Sequence, residues 1–217
     1  RVRGNPFLEI SHIINADLRW EWYLSEMDNL SVALFYKDMD KPIERVVQAA
    51  SGTAGNTRTF QNSDSAALYG VELDGRFEFI LGDGYDQTLF FAFNAAFIES
   101  EVTANNQEDR SLQGQPEYTA NLIFGYDHVS AGHQLTVLLN QNGKSIADVG
   151  VSGQPDVFLE PRLDLNVIYR FGISDSLTLK AKLENLLDDE IEYTQGGQIF
   201  QVYNRGPSIQ VGLDWQF

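Results

Sequence analysis

Pro207-Ser-Ile-Gln-Val-Gly-Leu-Asp-Trp-Gln-Phe217 closes the chain, and its reading decides the fold. Ile209, Val211, Leu213, Trp215 and Phe217 alternate with Ser208, Gln210, Gly212, Asp214 and Gln216. A strand sends successive side chains to opposite faces, so the segment has one apolar and one polar face. The apolar face finishes in two aromatics, the second at the terminus itself. Aromatic rings sit well at a membrane–water boundary, which suits a strand that closes an outer-membrane barrel.

The same alternation recurs upstream. Ala16, Leu18, Trp20, Trp22 and Leu24 set one apolar stripe, and Leu30, Val32, Leu34 and Tyr36 a second. The clearest runs Ala67, Tyr69, Val71, Leu73, Phe77, Phe79, Leu81, interrupted only by Gly75, with Gly70, Glu72, Asp74, Arg76 and Glu78 opposite. Further stripes fall on Leu89–Phe97, Tyr118–Tyr126, Leu135–Leu139, Leu163–Phe171 and Leu177–Leu183. Each lasts about ten residues, the length a tilted membrane strand needs. The connections alternate in length. Turns at 25–29, 81–85, 127–132 and 172–176 are short, whereas polar stretches at 38–65, 100–115, 140–156 and 187–206 are long. The 38–65 stretch has strand-like ends near 43–47 and 57–61. Short turns at one end and long loops at the other organise an outer-membrane barrel. The chain therefore reads as all-β: about nine strands of an antiparallel transmembrane β-barrel segment, with short periplasmic turns and long extracellular loops.

Composition narrows the rest. Among 217 residues, 15 Lys and Arg stand against 31 Asp and Glu, a net charge of −16 that argues against a nucleic-acid partner. Cysteine is absent, which excludes disulfides and thiolate chemistry. No apolar run approaches the roughly 18 residues of a spanning helix. The apolar stripes of the main strands carry no Lys, Arg, Asp or Glu, as expected where a midplane charge costs about 2–4 kcal/mol. Trp20, Trp22, Tyr126, Tyr169, Phe171, Trp215 and Phe217 gather toward strand ends, where aromatic girdles belong. A soluble carbohydrate-binding β-sandwich module shares the alternation and is the competing reading. An odd strand count, and a first residue Arg1 preceded by no signal peptide, point to a carboxy-terminal piece of something longer.

Several passages together resemble one family. Gly4-Asn-Pro-Phe-Leu8 with Asn15-Ala-Asp-Leu-Arg-Trp-Glu-Trp-Tyr23 is similar to an early barrel passage of TonB-dependent outer-membrane receptors. Leu34-Phe-Tyr-Lys-Asp38 with Pro42-Ile43, Tyr69-Gly-Val-Glu-Leu73, Leu112-Gln-Gly-Gln-Pro-Glu-Tyr118 and Glu184-Asn-Leu-Leu-Asp188 follow in the family's order. A residue common after the first motif is missing, with Ile10-Ser11 in its place. The resemblance implies a barrel of roughly 22 strands filled by an amino-terminal plug, of which residues 1–217 would be the carboxy-terminal portion, plug absent. It implies an active importer for a scarce nutrient (iron chelate, cobalamin or oligosaccharide) in a Gram-negative outer membrane. Its partners would be outer-membrane lipid, the nutrient, and TonB through the plug region; no cofactor is implied.

No catalytic set stands out. His12, His128 and His133 lack metal-ligand spacing, and the last two read as solvated turn residues. Asp188-Asp189-Glu190 reads as a solvated acidic face, not an acid–base pair. Glu72, Asp74, Arg76, Arg162, Asp164, Lys180, Lys182 and Glu184 are expected to make ion pairs along the lumen wall. Ligand contacts belong on the long loops. The candidates are Arg58, Gln61 and Asn62, then Gln113 and Gln115, then Gln195, Gln198, Tyr203 and Arg205.

Overall fold

Fifteen strands and no helix make up a computed structural model of the chain, which describes residues 2–49, 56–82, 84–104 and 109–216. Nine of the strands form an antiparallel meander: β1 (His12–Tyr23), β2 (Asn29–Asp40), β5 (Ser65–Leu81), β6 (Gln87–Thr103), β7 (Tyr118–His128), β8 (His133–Asn142), β11 (Arg162–Ser174), β12 (Leu177–Glu184) and β15 (Ser208–Trp215). Neighbours in this wall are neighbours in sequence once the long connections are set aside. The expected nine alternating strands are these nine. The terminal Phe217 and the turn residue Asp83 lie outside the described residues.

The register carries the two faces unbroken across the wall. Leu18 pairs with Leu34, Leu34 with Val71, and Val71 with Phe97. On the other face Ser31 pairs with Asp74, Asp74 with Asn94, Asn94 with Asn121, Asn121 with Asn140, and Asn140 with Asp164. A one-residue slip in any strand would mix these rows, so the pattern pins the register.

The apolar face is exposed: Leu18 is 70%, Leu34 53%, Val211 66% and Trp215 73% accessible, which water would not tolerate over so wide a surface. Gly75, the gap in the stripe, is covered by the ring of its cross-strand partner Phe93, which lies where a Cβ would stand. The stripe is thus continuous in space though broken in sequence. On this face Glu99 stands at the level of Tyr36 and Tyr69, and Asp38, Asp40 and Glu101 lie beyond it, at the long-connection end.

Polar side chains on the opposite face bond one another across strands. Arg19 reaches Ser31 at 2.7 Å and Asp74 at 3.2 Å, and Asn94 donates to both Glu72 and Asp74 at 2.7 and 2.6 Å. Arg76 pairs with Glu78, Lys182 with Glu184, and Lys180 with Asp214. The expected wall ion pairs therefore form, several of them within one strand.

His133 corrects an expectation. It faces His128 across β7 and β8, stacks on Phe171 at 4.6 Å and hydrogen-bonds the Tyr169 hydroxyl at 2.7 Å. The short turn spans only 129–132, so both histidines belong to strand ends in the lower aromatic belt, not to a solvated turn.

The remaining six strands were expected as loop, apart from the strand-like ends near 43–47 and 57–61. They are β3 (Ile43–Ala49), β4 (Asn56–Asn62), β9 (Ser145–Gly150), β10 (Val157–Leu159), β13 (Ile191–Gln195) and β14 (Gln198–Tyr203). They assemble into a second sheet in the order β14-β13-β10-β9-β3-β4. Three of the four long connections each contribute two strands. The fourth contributes the segment 109–117, whose Leu112 packs on Met39, Ala66, Leu68 and Val102. This small core fixes the outer sheet to the end of the wall.

Candidate functional site

Sequence-distant connections meet on the outer sheet because β3 and β9 pair in parallel, Val46 against Val149 and Val47 against Gly150. Val46, Ile146 and Val149 form a buried cluster, with Phe158 packed on it. That cluster is small, and charged groups supplement it. Asp148, 1% exposed, accepts from Arg45 and, at 2.6 Å, from Arg58. The two guanidinium groups remain 44% and 35% exposed, so they present positive charge to solvent from an anchored position.

Asp148 also lies in a lateral row with Val157, Gln195 and Gln198, which pair in succession across four strands. Of the sequence candidates, Arg58 bonds this buried carboxylate, whereas Gln195 and Gln198 lie two and three strands along the row, Gln195 donating to the Pro155 carbonyl at 2.9 Å. Arg58 further lines a cavity of about 350 Å³ with Val47, Asn56 and Phe200. Since β4 and β14 stand at opposite ends of the strand order, the sheet curls until its two edges share this cavity. Its size falls in the range of small-molecule sites.

Other candidates have structural work. Gln113 accepts from the Arg45 N–H at 2.6 Å and donates to the carbonyls of Arg45 and Ala147 at 2.7 and 2.8 Å. It stitches segment 109–117 to the sheet. Asn62 accepts from the Glu9 N–H and donates to the carbonyls of Glu9 and Lys41, holding the amino-terminal segment. Gln61 stands opposite Glu44, Gln115 donates to the Pro116 carbonyl, and Tyr203 accepts from Gln201 and meets Tyr193 edge-on. Arg205 is exposed beyond β14. None of these six lines the cavity beside Arg58.

A second buried carboxylate was missed. Glu44, 2% exposed, takes both terminal nitrogens of Arg110 at 2.8 and 2.6 Å, the Ser63 hydroxyl and the Gln113 N–H. Burial alone pushes this carboxyl up, but the Arg110 and Ser63 bonds outweigh it and hold it below its ordinary value. Glu160, at the start of the wall, behaves likewise: burial raises it, while Lys144 and Thr194 bring it below the usual range. Sequence periodicity marks apolar faces and is silent about paired buried charges. Asp189, read as solvated, instead accepts the Leu163 N–H at 2.7 Å.

Nothing here arranges a nucleophile beside a base, and among the described residues no three acidic or histidine groups converge as a metal site.

The family model described as "TonB dependent receptor-like, beta-barrel" matches residues 1–186. An iron-regulated outer membrane virulence protein of Vibrio cholerae is 25% identical over 226 aligned positions, covering the whole chain and 32% of that protein. The chain thus spans about a third of the length of the curated relatives it matches. Among solved structures, the siderophore receptor PirA from Acinetobacter baumannii superposes with a TM-score of 0.67 at 18% identity, over all of this chain and 33% of that one. A mutant ferric enterobactin receptor, PfeA, from Pseudomonas aeruginosa in complex with enterobactin gives 0.63 at 18%, with the same coverage. These likenesses discard the soluble sandwich: the exposed apolar face of the wall is a lipid face, and the chain belongs to the TonB-dependent receptor family of Gram-negative outer-membrane β-barrels.

Proposed function

We propose that this chain is the carboxy-terminal portion of the barrel of an active importer, and that the imported nutrient is an iron chelate. The observation that carries the ligand class is the anchored pair Arg45 and Arg58, the second of which shares its cavity with Phe200. Exposed guanidinium groups held by a buried carboxylate favour an anionic ligand, and planar Arg and Phe surfaces favour one with aromatic rings. Cobalamin carries no such array of anionic oxygens, and an oligosaccharide is usually neutral. The relatives' names, iron-regulated and siderophore receptors, point the same way.

In this reading the outer sheet faces the cell exterior and captures the chelate. A plug domain, coupled to TonB, opens the path, while the wall supplies a rigid conduit. The wall's polar rows are where such a plug would dock.

Two experiments test this. Tryptophan-fluorescence titration of the intact receptor with catecholate, hydroxamate and cobalamin ligands should give binding to an anionic iron chelate, weakened about 10-fold or more by Arg58→Ala. Equal binding by wild type and variant would remove the site; preference for cobalamin would remove the ligand class. Whole-cell labelling of Gln198→Cys and Tyr85→Cys should modify only the first. Reaction at Tyr85→Cys alone would invert the orientation.

A further inference from the structure

β3 and β9 pair side by side only at Val46 with Val149 and Val47 with Gly150. One residue earlier, at Arg45, a side chain takes the place of the next rung. The Gln113 oxygen accepts the Arg45 N–H at 2.6 Å, and its nitrogen donates to the carbonyls of Arg45 and Ala147 at 2.7 and 2.8 Å. A carboxamide has two donor hydrogens, and both are spent here on backbone. Gln113 keeps no donor for a ligand, whatever its residue type suggested.

The turn that delivers it runs from Leu112 to Gln115, closed by the Gln115 N–H on the Leu112 carbonyl at 3.2 Å. Its third residue, Gly114, has a φ of 76°, which glycine adopts without steric cost. Gly114 also donates to the Ile146 carbonyl at 2.8 Å, and the Gln113 N–H to Glu44 at 3.2 Å. The turn is thus fastened to β9 on one side and, through the buried Glu44, to β3 on the other.

What this frame holds is Arg45. Its Nε donates to Asp148, and its Nη2 donates at 2.8 Å to the Ala147 carbonyl that Gln113 also uses. Asp148 and Ala147 both belong to β9, so the spacing of β3 from β9 decides whether one guanidinium reaches both. A leucine at 113 would strip three backbone groups of this partner, and the two strands would settle at another spacing.

We propose that Gln113 is a positioning residue: it touches no ligand and sets the β3–β9 spacing at which Arg45 is held on Asp148. This role rests on the reading of Arg45 and Arg58 as the chelate-binding pair.

A double-mutant cycle on the intact receptor tests it, with ferric enterobactin, an anionic chelate, as the probe. Gln113→Leu and Arg45→Ala should each weaken binding about tenfold, and the two together also about tenfold, because the first has already misplaced what the second removes. Gln113→Met, unbranched and of similar length, serves if Gln113→Leu does not fold. A loss of about a hundredfold in the double variant, or unchanged binding in the Gln113 variants beside weakened binding in Arg45→Ala, would overturn the proposal. The ligand-free receptor with isotope-labelled arginine gives a second readout. Hydrogen exchange of the Arg45 Nε–H should quicken about tenfold in the Gln113 variants as its bond to Asp148 loosens. An unchanged rate would overturn the positioning role even where no chelate binds. Chelate binding that Arg45→Ala leaves intact would instead remove the proposed ligand site, with the exchange rate still deciding what Gln113 does.

Discussion

The two sheets of this chain are held together by different physics. Apart from the Met39, Ala66, Leu68 and Val102 cluster at one end, the wall has no core: its apolar face is turned outward, and its stability rests on backbone ladders, cross-strand polar bonds and the lipid that covers it. The outer sheet stands in water and does have a core, but a small one around Val46, Ile146 and Val149, supplemented by buried carboxylates. Strand lengths differ accordingly, 8 to 17 residues in the wall and 3 to 7 in the outer sheet. A wall strand is specified by a repeating pattern. An outer strand is specified by the few partners it finds.

That contrast can be broken hardest at Glu44. Glu44→Ala leaves Arg110 buried without its carboxylate, and losing one partner of such a pair costs about 3–5 kcal/mol. Hydrogen exchange should show β3, β4 and segment 109–117 losing protection while β11, β12 and β15 keep theirs. Loss of protection in both sheets together would show that the wall depends on the outer sheet.

Gly150→Ala comes next. A Cβ there would lie 2.0 Å from the Gln154 carbonyl oxygen and 2.6 Å from Pro155 backbone, where no side chain can yield. The turn that returns β9 toward β10 must shift, at a cost of about 1–3 kcal/mol. Proteolysis in the 150–156 region should accelerate, and chelate affinity should fall because Asp148 and Gln195 lose their common row. Unchanged proteolysis would show that the turn accommodates the methyl group.

On the wall the matching disturbance is smaller. Asn94→Ala removes donors to Glu72 and Asp74, each bond worth about 1 kcal/mol net. A modest drop in the wall's thermal midpoint is expected, with the outer sheet's exchange untouched.

Acid titration sharpens the comparison with the least disturbance. The folded Glu44 carboxyl titrates below its ordinary value of 4.5, so its contribution is complete above that pH and is lost as pH falls through the depressed folded value. Exchange protection of β3 and β4 should therefore decline in acid below about pH 4.5, and Glu44→Gln should flatten that decline. An identical pH profile in the variant would remove Glu44 as the titrating group.

The same contrast explains what the sequence disclosed. Period-2 alternation located all nine wall strands, and even the interruption at Gly75 was informative once Phe93 was seen to cover it. The lengths of the connections separated the two ends. Of the outer sheet only β3 and β4 showed, as strand-like ends near 43–47 and 57–61; β10 has three residues and β14 exposes both of its faces, so neither leaves a periodic trace. Arg58, Gln195 and Gln198 were singled out by residue type, since Arg and Gln on long loops suit ligand contact, and all three lie on the outer sheet. Arg45, Asp148 and Phe200 were not, because their importance comes from a parallel pairing between residues about a hundred positions apart, which no local pattern encodes. His128 and His133 were misplaced by the same limit: only the register across β7, β8 and β11 puts them among aromatic rings.

The parallel contact between β3 and β9 also has a mechanical consequence. Three wall strands, β5, β6 and β7, separate β2, the root of the connection that holds β3, from β8, the root of the connection that holds β9. The contact therefore acts as a tie-bar across one rim. Spreading β2 from β8 at that rim requires the bar to stretch, whereas the opposite rim carries only hairpin turns and is free to breathe. The wall is thereby tied across the rim that bears the long connections and left untied across the rim of hairpin turns, so an outward strain on the two rims meets unequal resistance.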